Sequence, residues 1–237
     1  MPELLAVVLA GGATFVSTMV GGFAVMRWPG RLDLLLVFAG GVILAAALGE
    51  LLPEAVDHAE ESGVSRALPL VMAAIGFGAF AIVERASGHE HAEPGGAAGA
   101  AGFALHSFFD GLAIGIGFGI DAGVGLVVAI AVLGHDFSDG LNTIAYLAAR
   151  GRSREYSSRW LLVIASVPML GALIGTVAPV PEQVFPVALG FFAGWFVYAA
   201  TVTMLPRARQ LAAVQALPAA VLGAGAMLLI SELAHAA

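Results

Sequence analysis

His106–Leu112 reads HSFFDGL, and His135–Leu141 reads HDFSDGL. Both fit H-x-F-x-D-G-L, and each sits in the middle of a long apolar run, Gly99–Ile120 and Ala122–Leu147. About 20 apolar residues suffice for a helix to cross a bilayer. One aspartate at the centre of such a helix costs about 2.5–3.5 kcal/mol. These two runs hold three, Asp110, Asp136 and Asp139, together with His106 and His135. Such groups cannot face lipid. They must face a bundle interior, a water-filled cavity or a bound cation, which makes the chain a polytopic, all-α membrane protein.

Six further runs flank this pair: Pro2–Met26, Leu32–Val56, Ala67–Val83, Trp160–Pro179, Val184–Leu205 and Leu211–Ala234, giving eight predicted spans. Composition agrees. Of 237 residues, 59% are hydrophobic and 11% charged, with a mean hydropathy of +0.94. A soluble domain carries roughly 25% charged residues, so a soluble globule and a disordered chain are both excluded. The ten basic residues are all arginine, and nine of them (Arg27, Arg31, Arg85, Arg150, Arg152, Arg154, Arg159, Arg207 and Arg209) fall on one side of an eight-span topology, with Arg66 alone opposite. The positive-inside rule makes that side cytoplasmic and puts both termini outside. No basic stretch precedes the first apolar run, so a cleaved signal peptide is not expected. A net charge of −7 argues against a nucleic-acid partner. Absence of cysteine removes disulfides and thiolate ligands. The 31 glycines suit helices that approach closely.

A second internal echo pairs ELLPEA (Glu50–Ala55) on span 2 with TMLPRA (Thr203–Ala208) on span 7. Spans 4 and 5 run in opposite directions, as do spans 2 and 7. A two-fold axis in the membrane plane would relate both pairs, an inverted repeat of the kind found in transporters, whose site lies near midplane at the repeat interface.

The chemistry follows from spacing. His106 and Asp110 are four apart and share a helical face, as do His135 and Asp139. Two facing helices would bring two imidazoles and two carboxylates to one point, with Asp136 and Ser107 beside them. Imidazole with carboxylate and without thiolate suits Zn²⁺ and other first-row dications. A polar network or proton relay without metal is the alternative. Glu50 and Glu54, four apart near the outer end of span 2, form either an access station for cations or a structural pair. The remaining acids of that end, Asp57, Glu60 and Glu61 with His58, either attract cations or solvate the helix end. Pro53 is expected to kink span 2. The loop ERASGHEHAEPGG (Glu84–Gly96) carries His89, Glu90, His91 and Glu93, either a loose metal site or a solvated linker.

These motifs carry a resemblance to the ZIP (Zrt-, Irt-like) family of divalent metal transporters. HSFFDG (His106–Gly111) resembles the family's span-4 motif H-N-x-P-E-G, and HDFSDG (His135–Gly140) resembles its span-5 motif. LLPEA (Leu51–Ala55) and AGWFVYAATVTMLP (Ala193–Pro206) are similar to spans 2 and 7. The resemblance implies one transmembrane transporter domain over residues 1–237, in a 3+2+3 inverted repeat with a cytoplasmic histidine loop at about 84–98. It implies a binuclear site: one metal on His106, Asp110 and Asp139 with His135 available, the second on Asp110, Asp136, Asp139 and Ser107. Both motif glutamates are aspartate here, the prolines are Phe109 and Ser138, and Ser107 replaces asparagine. The resemblance further implies uptake into the cytoplasm by relative movement of two helix groups, with Zn²⁺ as transported substrate and Cd²⁺, Fe²⁺ and Mn²⁺ as further cargo. No organic cofactor and no enzymatic activity are expected. Expected partners are divalent metal ions and the lipid bilayer, with a homodimer entertained, and the expected location is a bacterial inner membrane. An intramembrane zinc hydrolase and a proton-linked carrier of another solute are the competing readings.

Overall fold

The computed structural model describes residues 2–86, 95–120, 122–177, 181 and 183–235. Among these residues every regular element is helical. Helix α1 covers Pro2–Arg27, α2 Leu32–Ala46, α3 Leu52–Glu61, α4 Ala67–Ala86 and α5 Gly95–Ile120. Helix α6 covers Ala122–Ala149, α7 Arg154–Gly175, α8 Val184–Tyr198 and α9 Ala213–His235. Among the described residues, six helical stretches are long and apolar enough to cross a membrane by length and composition: Leu4–Arg27, Leu32–Glu61, Gly99–Gly119, Arg154–Gly175, Val184–Gln210 and Ala213–Leu233. Ala67–Ile82 is a shorter apolar helix.

Helix ends follow local chemistry. Gly151 has φ 69° and closes α6, with Arg152 N–H donating to the Leu147 carbonyl at 3.0 Å, a left-handed glycine cap. Ser153 then starts α7 by accepting from Tyr156 N–H at 3.2 Å. This cap begins the helix at Arg154, six residues ahead of the apolar run predicted from Trp160, because capping and the Glu155–Arg159 pair sustain polar turns that hydropathy alone does not mark.

Spans 2 and 7 are not uniform α-helices. A π-turn, Ala47–Leu51, joins α2 to α3 two residues ahead of Pro53. A second, Ala199–Met204, follows α8 two residues ahead of Pro206 and leads into a 3₁₀ stretch, Leu205–Gln210. Proline lacks an N–H and its ring clashes with the carbonyl four residues back. Those carbonyls belong to Gly49 and Val202, both inside the widened turns. The kink expected at Pro53 therefore takes the form of a wide turn, and the predicted single helix Val184–Leu205 ends its α-helical part at Tyr198 for the same reason.

The chain divides into two compact units. The first comprises Met1–Gly30, Ala100–Pro179 and Leu229–Ala237, and so holds α1, most of α5, α6 and α7. Helix α1 lies against α6 and α7. A methyl group on Gly140 would overlap the Thr18 carbonyl oxygen of α1, and one on Gly111 would overlap the Pro168 carbonyl oxygen of α7. The reciprocal contacts repeat the scheme: Gly21 lies under the Phe137 carbonyl and Gly171 under the Phe108 carbonyl. Backbone thus meets backbone at both crossings, the close approach that small residues permit between membrane helices.

The second unit comprises Arg31–Gly99 and Val180–Leu228. Its main seam is α4 against α8, where Phe80 stacks on Trp195 with ring centroids 4.3 Å apart. At one end Arg207 Nη1 lies 3.4 Å from Asp33 Oδ1, both half-buried.

Replacing Gly140 by leucine should force α1 and α6 apart, since a carbonyl cannot yield as a flexible side chain can. Overpacking of this kind typically costs about 1–3 kcal/mol. Gly12, with open space around its Cα, should accept alanine with a change below about 0.5 kcal/mol. Thermal unfolding of the two purified variants in the same detergent measures both.

Candidate metal centre

Helices α5 and α6 carry the two H-x-x-x-D pairs, and their packing sets the geometry. One ligand atom each from His106, Asp110 and Asp139 lies within 4.8 Å of the other two, and all three residues are buried. His106 Nε2 is 3.1 Å from Asp110 Oδ2, the i,i+4 contact along α5. Asp139 reaches in from α6. The glycine after each aspartate, Gly111 and Gly140, lies about 100° further round its helix. There it seats the helix against α7 or α1, leaving each aspartate to face the neighbouring motif helix.

A second pairing fixes the register. Phe103 of α5 and Tyr146 of α6 meet edge to face, with ring centroids 5.7 Å apart. Phe103 precedes Asp110 by seven residues, and Tyr146 follows Asp139 by seven. Both pairings therefore belong to one antiparallel register. Two apolar layers bound the polar level. On one side stand Phe103 and Tyr146, both fully buried, with the Arg150 guanidinium 5.0 Å above the Tyr146 ring. On the other, Ile114, Phe118, Ala129 and Val132 form a buried cluster with Val7 and Ala172. Apolar side chains thus flank the polar level on both sides.

Two buried carboxylates in such a place repel each other, and each carries a desolvation penalty of several kcal/mol. A dication cancels both. Ligands of one tetrahedral zinc stand about 3.4 Å apart when bonds are about 2.0–2.1 Å, a spacing comparable to that of these three atoms, which all lie within 4.8 Å of one another.

The other residues singled out from sequence fall as follows. Asp136 is fully buried on α6. Ser107 is 1% exposed, and its hydroxyl donates to the Phe103 carbonyl at 3.1 Å. His135 lies on α6 one turn before Asp139, but its side chain lies outside the described residues. Glu50 is buried within the Ala47–Leu51 π-turn of the other unit. Glu54 is exposed and lies 3.7 Å from His58, which also lies 3.4 Å from Glu61. His89, Glu90, His91 and Glu93 lie outside the described residues. Two residues escape the sequence reading. Asn142 and Thr143 are buried, 2% and 0% exposed, and follow His135 and Asp136 by seven, the heptad spacing that keeps a residue on one helix face.

The family profile described as ZIP zinc transporter matches residues 96–231, more than half of the chain. The chain belongs to the ZIP zinc transporter family. It is a multi-pass membrane protein, and the matched region includes both motif helices. Among similar proteins, zinc transporter SLC39A7 of Mus musculus is 34% identical over 113 residues, covering 43% of this chain and 23% of the relative. Zinc transporter zipt-7.2 of Caenorhabditis elegans is 36% identical over 110 residues, with the same shares. Zinc transporter ZIP10 of Homo sapiens is 35% identical over 108 residues, covering 44% of this chain and 13% of the relative. The ZIP chain described here thus matches about a quarter or less of the length of these relatives.

The aromatic layer can be weighed directly. Truncating Phe103 and Tyr146 to alanine, singly and together, should reveal a coupling of about 0.5–1.5 kcal/mol, the value of an edge-to-face pair beyond its area. A double-mutant cycle on thermal unfolding measures it, and additive losses would mean that the rings do not interact.

Proposed function

We propose that this protein carries divalent metal cations, Zn²⁺ foremost, across the membrane into the cytoplasm, binding them at His106, Asp110 and Asp139 on the way. The observation that carries the reading is the convergence of those three buried ligand atoms within 4.8 Å on two adjacent helices. That the three relatives are named zinc transporters supports zinc as the cargo. His135 joins the same ion by its i,i+4 placement with Asp139. Asp136 and Ser107 serve a second ion that shares Asp110 and Asp139. Cd²⁺, Fe²⁺ and Mn²⁺ present the same charge to this imidazole and carboxylate set and are lesser cargo. Glu50 and Glu54 form the access station. The protein is a carrier, with no hydrolytic step and no organic cofactor, and a homodimer in the bilayer.

The proposed architecture has eight spans in a 3+2+3 inverted repeat, both termini outside, in a bacterial inner membrane. Two observations support the repeat. Gly140 meets the Thr18 carbonyl as Gly111 meets that of Pro168. The π-turns of spans 2 and 7 each stand two residues before a proline. The nine arginines on one side of this topology support its orientation.

Purified protein in liposomes loaded with a zinc-sensitive dye tests the function. Asp110→Ala and Asp139→Ala should each reduce influx to that of empty liposomes, because each removes a carboxylate shared by both ions and metal binding depends on ionised ligands. Ser107→Ala should reduce influx less than about threefold, since a neutral hydroxyl offers an ion little beyond what water does. Near-normal influx through either aspartate variant at equal incorporation refutes the ligand assignment, and hydrolytic activity without influx refutes transport.

A further inference from the structure

Between the charged cluster and the aromatic layer lies one turn of α5 and α6 from which the proposed transport site uses His106 and Ser107 of α5 and nothing of α6. In the register set by Asp110 with Asp139 and Phe103 with Tyr146, Ser107 and Asn142 stand at one depth, and His106 and Thr143 at the next. Asn142 lies about 4.5 Å along the axis from Asp139, towards the Arg150 end. At 100° per residue, Asn142 and Thr143 each lie within about 60° of both Asp139 and Tyr146 on the α6 wheel. Those two residues touch α5, so the two between them face it as well.

Their polar atoms set this turn apart. Asn142 Oδ1 and Thr143 Oγ1 are both buried and have no hydrogen-bond partner. Several other helix hydroxyls among the described residues, Thr14, Thr18, Ser107, Ser166 and Thr201, donate to a carbonyl three or four residues back. Thr143 does not. A buried oxygen left without a donor costs about as much as a lost hydrogen bond, and two on consecutive residues of one turn point to a ligand. Ser107 adds a third oxygen at this depth. Its proton is committed to the Phe103 carbonyl, which leaves its lone pairs to accept.

We propose that Asn142 Oδ1, Thr143 Oγ1 and Ser107 Oγ form a neutral oxygen station that receives the dication as it leaves His106, Asp110 and Asp139 towards the Arg150 end of α6. The inference rests on the transport reading above. Three neutral oxygens hold a dication more weakly than two carboxylates, because they supply dipoles and no net charge. A conducting path needs sites strong enough to enter and weak enough to leave. The charged cluster meets the first requirement and the neutral turn the second. The Phe103–Tyr146 layer ends the station one turn further on.

The test uses the full chain in two assays, Zn²⁺ binding to purified protein in detergent and Zn²⁺ influx in dye-loaded liposomes. Asn142→Ala combined with Thr143→Val removes two of the three oxygens and should leave Zn²⁺ affinity within about threefold while lowering influx about tenfold or more. Asn142→Asp should do the opposite to binding: a carboxylate at this depth should tighten Zn²⁺ about tenfold or more and slow its release, so that both KM and kcat for influx fall. A packing role for Asn142 predicts no gain in affinity from a buried charge. Normal influx through the double variant, with Zn²⁺ affinity of Asn142→Asp unchanged, overturns the station. Thr143→Val, equal in shape and lacking the hydroxyl, decides the matter if the Asn142→Asp variant is not recovered folded: influx equal to that of the unaltered protein overturns the proposal. Asp139→Ala serves as the internal control. If it too binds and transports normally, the transport site itself fails, whereas its loss alongside a silent double variant rejects the station alone.

Discussion

Two carboxylates held face to face in an apolar helix pair repel each other and have surrendered their hydration, and the first unit is arranged around that fact. Asp110 and Asp139, with His106 in contact, cannot be satisfied by the aromatic layer on one flank or the aliphatic cluster on the other. Positive charge balances them. Arg150, near the end of α6, lies over the Tyr146 ring, beyond the aromatic layer. In the proposed function, a dication in transit supplies the counter-charge between the layers.

That arrangement depends on glycine as much as on acid. Each aspartate is followed by a glycine whose missing side chain lets its helix lie directly on a neighbour's backbone, α5 on α7 and α6 on α1. Those crossings rotate Asp110 and Asp139 towards one another, so Gly111 and Gly140 position ligands they never touch. In the D-G pair of each motif the glycine aims the acid.

Much of this is legible in the amino-acid order because the relevant signals are local. His106 and Asp110 share a face by counting, and three aspartates within apolar runs cannot face lipid. Features that depend on a partner are not legible. No letter near Gly140 says that Thr18 will lie over it. The register that levels Asn142 with Ser107 emerges only once Phe103 is seen against Tyr146. Asn142 and Thr143 also escape notice because single neutral polar residues carry little hydropathy signal. Spacing also does not tell how differently Glu50 and Glu54 are placed: Glu50 is buried in a π-turn while Glu54 is exposed beside His58. The wide turn is invisible in sequence because Pro53 announces a disturbance without stating its form.

The two π-turns carry a consequence for how this chain tolerates change in length. A wide turn already accommodates one residue more than an α-helical turn, so a single-residue insertion or deletion within Ala47–Leu51 or Ala199–Met204 can be absorbed where it occurs. Helices α5 and α6 have no such joint within the described residues, running as unbroken α-helix through both motifs. One residue inserted between His106 and Asp110 would swing one ligand about 100° away from the other. Drift in chain length among descendants of this protein is therefore expected to accumulate at Ala47–Leu51 and Ala199–Met204, while the count of residues through the motif helices stays invariant.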